Sequence, residues 1–426
     1  MNTRRKIINE KSDSNSYYNL FRDKWWNSSS HLQLDKNKIS YGEKKNREKR
    51  FDYLVDKLVN HIYAFKNDED IKIWNNNLNL IINKFLEKNY IFDIDFEDEL
   101  KNNFIKVTKK FIKEAKSFDE SISMNDIGQA MRNVWIINIL QAIKGEKIEF
   151  SKAIFGYSML YPYTDNYLDN TEININDKEQ FNDRFYKRLE GNDICPNNEY
   201  EAKVYKLVDN IEAVFSREKY PKVYESLMKI QNGQVHSLSQ QDEATIPYER
   251  DILGISIEKG GSSVLVDGYI VNGELTIEEL EFCIGYGVLL QIADDLQDVR
   301  EDLNNKHMTI MSQLAGSYKL DSIVNKLINF TINVVDDFKK QENNERLKNL
   351  IKDNCIMLIL FSISLSKEFF SKEYIKEKEE YLPFTIKYIE NLKNNLKKKF
   401  KKINNMKNKN EKMKQLLDGI INLDLE

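Results

Sequence analysis

Apolar residues recur three or four positions apart over most of this chain, the spacing of one face of a helix. Between residues 50 and 87 the stripe runs through Leu54, Leu58, Ile62 and Phe65. Further helices are predicted over 104–115 and 126–143, and the stretch 127–143 is apolar enough to be largely buried. Gly145 ends that helix, and the next runs over about 149–170. A polar loop is expected over 171–179, then helices over 179–189 and 199–215. Ser216 is a candidate cap for the segment that passes Pro221 and reaches about 239. Another helix is predicted from Tyr248 to Val271, and Asn272-Gly273 turns the chain. Thr276 with Glu279 has the spacing of a capping box, opening a helix that is expected to run unbroken to Asn304. Helices continue to the end, and no strand-like alternation persists anywhere.

Five prolines and fifteen glycines in 426 residues agree with a mostly helical chain. Residues 1–48 are polar and irregular apart from Trp25-Trp26, and read as a loosely packed N-terminal arm. The main all-α domain is expected over 49–390, and 391–426 as a lysine-rich helix or tail. Residues 393–414 hold ten lysines against one acid, the composition of a solvated helix or a frayed end. That run lacks interleaved aromatics, so no nucleic-acid partner is expected. No apolar run approaches the roughly 18–20 residues of a membrane span, and no secretory pattern follows the first residues. Three cysteines without CxxC spacing suit buried thiols in a reducing, cytoplasmic setting. The four histidines stand apart in sequence and read as structural or exposed. A homodimer is a further expectation.

One stretch carries unusual charge. Residues 291–302 read Gln-Ile-Ala-Asp-Asp-Leu-Gln-Asp-Val-Arg-Glu-Asp. On a helix Ile292, Leu296, Val299 and Leu303 form a core stripe, while Asp294, Asp295, Asp298, Glu301 and Asp302 share a neighbouring sector roughly 120° wide. Like charges at these spacings cost a few tenths of a kcal/mol per pair, about 0.2–0.5 each. The stretch's own cation, Arg300, lies on another face, so positive charge is expected from outside. Hard divalent cations on carboxylate oxygens would supply it. A plain solvated acidic face explains the same residues. A second acidic pair, Asp165 and Asp169, shares a face four residues apart, with Tyr161 and Ser158 on the same side. Lys259 stands in Glu-Lys-Gly-Gly-Ser-Ser, and seven of the fifteen glycines fall between 254 and 287. Such glycines mark tight helix packing, a helix break or close approach of a ligand, and close packing is the simplest of the three.

Together these pieces resemble the class I isoprenoid synthase superfamily: prenyl diphosphate synthases, terpene cyclases and squalene or phytoene synthases. Residues 291–298 look like its second aspartate-rich motif, 165–169 like a variant of its first with Asn166 in place of an aspartate, and 259–262 like its lysine element. The resemblance covers about 127–315 and implies a single large helical bundle with a central active-site cavity. It implies a cluster of Mg²⁺ ions, usually three, with Mn²⁺ as a substitute, holding an allylic prenyl diphosphate. Asp165, Asp169, Asp294 and Asp298 would be the metal ligands, with Asp295, Glu301 and Asp302 as further candidates. Lys259 and Arg250 would contact the diphosphate, and Tyr157 and Tyr161 would wall the pocket. Chain-elongating members carry paired arginines after the first motif; here Asn170-Thr171-Glu172 follows Asp169 and the next arginine is Arg184. The usual Asn/Ser/Glu triad of many cyclases is also absent at 294–302. A divergent terpene synthase, a carbon–oxygen lyase acting on one substrate, fits both departures. A chain-elongating prenyltransferase and a non-catalytic subunit retaining the fold are the alternatives.

Overall fold

A computed structural model describes residues 10–64, 71–85, 87–93, 97–170, 172–241, 246, 249–339 and 345–404. Among them the chain is all-α, with seventeen α-helices, two short 3₁₀ turns and no strand. In chain order these are α1 (Glu10–Asn27), α2 (Tyr41–Ala64), α3 (Ile71–Phe85), α4 (Asp98–Phe118), α5 (Met124–Ile143), α6 (Lys152–Asp169), α7 (Ile175–Glu190), α8 (Glu199–Glu212) and α9 (Pro221–Ser237). They continue as α10 (Ile252–Asn272), α11 (Ile277–Gln297), α12 (Val299–Asn304), α13 (Ser312–Ala315), α14 (Asp321–Asp337), α15 (Glu345–Leu365), α16 (Lys372–Glu379) and α17 (Ile386–Asn404). None of them is long and apolar enough to cross a membrane.

The helices sort into two compact units. The first comprises residues 1–34, 220–362 and 368–371; the second comprises 35–219, 363–367 and 372–426. In the first unit α10 packs on α9 and, most extensively, on α11; α11 also packs on α14, and α1 on α10 and α14. In the second, α6 is the central helix, packed on α4, α5 and α8 and buried at every position from Ala153 to Leu160. Alongside, α2 packs on α3 and α17.

Local chemistry sets most boundaries. Ser151 caps α6 by accepting the Ile154 N–H at 3.2 Å. The Thr276–Glu279 capping box forms in both directions, and Gly273 ends α10 at φ +84°. Several expectations shift. The loop before α7 is shorter than 171–179, because its Asn/Asp-rich end is itself the helix start: Asn174 accepts the Asp177 N–H. Pro221 at the first position, rather than Ser216, opens α9. Asp251 caps α10, so that helix begins at Ile252 instead of Tyr248. The expected unbroken helix to Asn304 is interrupted at Asp298.

The irregular arm expected over 1–48 holds α1 and the start of α2. Trp25 is wholly buried, with its ring edge-on to Phe330 at 5.7 Å, while Trp26 stays 59% exposed. The Lys326 ammonium donates to the carbonyls of Trp25, Trp26 and Ser28, satisfying the C-terminal end of α1. Of the lysine-rich tail, residues up to 404 continue α17, where Lys399 pairs with Asp52 and Asp56; residues 405–426 lie outside the described residues.

Candidate active site

The crossing of α10 and α11 positions the acidic stretch. Gly260 and Gly287 meet there, so closely that a Cβ on either would run into the backbone of the other helix. This is the close-packing role of the glycine-rich segment. About three turns beyond the crossing, α11 gives way at Asp298, whose N–H still bonds the Asp294 carbonyl at 2.9 Å.

The predicted core stripe is buried at Ile292, Leu296 and Val299. Asp295 and Asp302, the acids bordering that stripe, are buried with it, at 5% and 8% exposure. Asp294 is half-buried, and Asp298 and Glu301 are exposed. Asp295 accepts a hydrogen bond from the Gln291 amide at 3.0 Å and lies 3.5 Å from the Ser256 hydroxyl of α10. Burial pushes its carboxyl up to about 7; Gln291 opposes that, Asp294 and Asp302 add to it, and Lys259 opposes it. Asp298 rises to about 6, through partial burial first and then through Asp294, Asp302 and Glu301. The fold therefore brings Lys259 of α10 and the acids of α11 and α12 into one electrostatic neighbourhood. Arg300 points elsewhere and pairs with Glu368. Arg250 is half-buried just before the Asp251 cap.

Two further groups complete this neighbourhood. The Thr309 hydroxyl donates to Asp302 at 3.2 Å, and His307 Nδ1 lies 3.4 Å from the other Asp302 oxygen. His307 Nε2 is buried without a hydrogen-bond partner among the described residues. Sequence spacing hid this histidine. It follows Asp302 by five residues, in the turn after α12, where helical periodicity no longer applies; its N–H bonds the Asp302 carbonyl at 2.8 Å.

No protein-family model matches this chain, and no curated protein or solved structure does.

The other acidic pair lies on α6, in the second unit. Asp165 is half-buried; the side chain of Asp169 lies outside the described residues. Asn166, the departure from the aspartate-rich pattern, donates to Asp126 at 3.2 Å and to Gln129 at 3.3 Å, tying α6 to α5. Tyr157 is buried and Tyr161 half-buried. The same helix end carries an aromatic wall: Tyr167 stacks on Tyr200 at 5.3 Å and meets Phe181 at 4.4 Å. Beneath it, Asp119 accepts from the Tyr163 hydroxyl at 2.7 Å and from Lys203 at 2.6 Å. Burial works against the Asp119 charge, but Lys203, Ser121 and Tyr163 outweigh it and hold the carboxyl well below its usual range. Asp119 and Lys203 carry no local motif, and 84 residues separate them.

The donors at 294–302 are all carboxylate oxygens, the chemistry that magnesium prefers. Among the described residues no three His, Cys, Asp or Glu side chains converge as a ready-made metal cage. The residues fit a metal in charge and donor type, then, but not as a complete protein-built coordination sphere. Magnesium commonly takes one or two carboxylates and completes its sphere with water and the phosphates of a substrate.

Proposed function

We propose that the chain is a magnesium-dependent terpene synthase of the class I isoprenoid type, acting on a single allylic prenyl diphosphate and releasing diphosphate to give a hydrocarbon or an alcohol. The observation that carries this reading is the acidic cluster of Asp294, Asp295, Asp298 and Asp302 beyond the α10–α11 crossing, where Lys259 of α10 acts electrostatically on Asp295. An acidic cluster with raised carboxyl pKa values and one facing cation is poorly stable alone, and is relieved when cations arrive with an anionic ligand. The all-α architecture agrees with the helical class to which this reading belongs.

In this reading Asp294 and Asp298 would hold magnesium, with Asp295, Glu301 and Asp302 as further oxygen donors. Bound metal would supply Lewis acidity toward the leaving diphosphate oxygens. Lys259 binds a terminal phosphate by its point charge, and Arg250 is the second candidate cation. Gln291 and Ser256 orient the Asp295 carboxyl. Thr309 and His307 do the same for Asp302. Asp165 and Asp169, with Tyr157 and Tyr161, belong to the α6 motif of the second unit, and the α11–α12 acids carry the reading without them.

The single-substrate form of the reaction has its own support. Arg184, the first arginine after Asp169, is bound to the buried Glu201, and Arg188 to Glu212 and Asp209. Neither stands ready for the second diphosphate that chain elongation needs. Incubation with Mg²⁺ and prenyl diphosphates of several lengths, followed by product analysis, tests the reading. Hydrocarbon or alcohol from one substrate is the expected result. Product only on addition of isopentenyl diphosphate would make the protein an elongating prenyltransferase, and no turnover with any substrate would favour a non-catalytic subunit. Asp294→Asn with Asp298→Asn abolishes turnover while leaving stability unchanged or raised, and Asp165→Asn reports whether the α6 motif takes part.

A further inference from the structure

The second unit contains a cationic cavity that the reading above does not use. It has a volume of about 1000 Å³ and lies between the start of α2, α16 and the first turns of α17. Its lining carries five lysines (Lys38, Lys44, Lys45, Lys376 and Lys387) against two carboxylates, Glu379 and Glu380. Counting Glu48, which pairs with Lys45, the concavity keeps a surplus of two positive charges, an arrangement that favours an anionic ligand.

The two carboxylates are already committed. Glu380 pairs with Lys38 at 2.6 Å. Glu379 accepts the Ile386 N–H at 2.9 Å, at the start of α17. Lys45 is held by the buried Glu48, which also accepts from the Thr385 N–H and hydroxyl at 2.9 and 2.6 Å. Three cations are left, against the remaining charge of Glu379. Lys44 is buried, and its ammonium donates to the carbonyls of Glu379 and Leu382, the latter at 2.8 Å. Those partners fix its position without cancelling its charge, and one of its three N–H donors remains. Burial lowers its pKa to about 8 against the pull of Glu379 and Glu380, which still leaves it mostly protonated at neutral pH. Lys376 and Lys387 are exposed and form no ion pair among the described residues.

We propose that this cavity binds a small molecule carrying two or more phosphate groups, held by Lys44, Lys376 and Lys387. The chemistry selects phosphate in two ways. No arginine lines the cavity, so the fork that recognises a carboxylate in two-pronged fashion is missing, whereas lysines bind phosphate oxygens as point charges from several directions. The cations also converge in a concavity instead of tracking a line, as a nucleic-acid backbone would require. The Tyr41 ring, 71% exposed at the rim, offers a face for the organic part of the ligand. Such phosphates occur on soluble metabolites and on lipid headgroups alike.

Calorimetric titration of the full-length protein tests this, in EDTA so that no divalent metal contributes. The probes are inorganic pyrophosphate, inositol hexakisphosphate, and vesicles of phosphatidylcholine with or without phosphatidylinositol bisphosphate. Saturable binding of at least one phosphorylated probe is expected, weakening as salt rises. Binding of the soluble probes alone identifies a free metabolite as the ligand, and binding of the phosphoinositide vesicles alone identifies a headgroup. Lys376→Ala with Lys387→Ala lowers the affinity roughly tenfold or more at an unchanged thermal midpoint, because both side chains are exposed and unpaired. Lys259→Ala leaves the binding intact. The proposal is overturned if no probe binds, if the double lysine variant binds as tightly as the wild type, or if Lys259→Ala abolishes binding. The last result would place the anion at the α10–α11 site instead.

Discussion

A Cβ built on Gly287 would stand 2.0 Å from the carbonyl oxygen of Gly260, across the crossing of α11 and α10. The obstacle is backbone, so no side-chain rotation relieves it. Gly287→Ala therefore has to push the two helices apart at the point that holds Lys259 near the acidic stretch. A loss of about 3 kcal/mol is expected in denaturant unfolding. Gly128 gives the contrast: it lies on an exposed face of α5, and a methyl group placed there would meet nothing within 4 Å. Gly128→Ala should raise stability by about 0.5–1 kcal/mol through helix propensity alone. Equal effects at the two sites would mean that the crossing is not close-packed.

What the sequence made legible is what periodicity and caps encode. The Thr276–Glu279 box, the Asn272-Gly273 turn and the buried stripe of Ile292, Leu296 and Val299 depend on neighbours a few residues away. The division of the acids into buried Asp295 and Asp302 and exposed Asp298 and Glu301 follows from their angular distance to that stripe. Groups assembled from distant residues were not legible. Asp119, Tyr163 and Lys203 meet across three helices without any local pattern. The lysine cavity joins the region around residue 40 to α16 and α17, and only folding brings those together. His307 stands just past α12, where the helical period has already ended.

Trp25 was hidden for a related reason. Tyr17, Phe21 and Trp25 recur four residues apart, but this stripe has only three positions among mostly polar neighbours and is too short to stand out. Its complete burial against Phe330 nonetheless makes α1 part of the first unit's core. Trp25→Ala should cost about 3–5 kcal/mol. Trp26→Ala, removing an exposed ring, should change stability by no more than about 0.5 kcal/mol. Thermal or urea unfolding of both variants separates a packed helix from a dispensable arm, for which the two losses would be alike and small.

The pH dependence of stability tests the acidic site directly. The Asp295 carboxyl is raised to about 7 in the folded protein, while in the unfolded chain it titrates near its ordinary value of about 3.9. The folded state thus keeps a proton that the unfolded state has already lost, so this residue lowers stability as pH rises from about 4 to about 7. Its full effect is bounded at about 4 kcal/mol. Asp267 acts in the same sense: it is wholly buried, neither carboxyl oxygen has a hydrogen-bond partner among the described residues, and burial pushes it well above the usual range. Acids whose pKa is lowered, such as Asp119 and Glu212, work the other way at more acidic pH. The comparison is therefore between wild type and single variants across this window. Asp295→Asn and Asp267→Asn should each flatten the decline in thermal midpoint between pH 4 and pH 7. Mg²⁺ with pyrophosphate distinguishes the acidic stretch from the isolated Asp267. If the stretch 294–302 holds metal and diphosphate, the added pair raises the midpoint near pH 7 in wild type and in Asp267→Asn, and the gain shrinks in Asp294→Asn. An equal gain in all three proteins would detach the acidic stretch from metal and diphosphate, leaving it a solvated face that the fold merely tolerates.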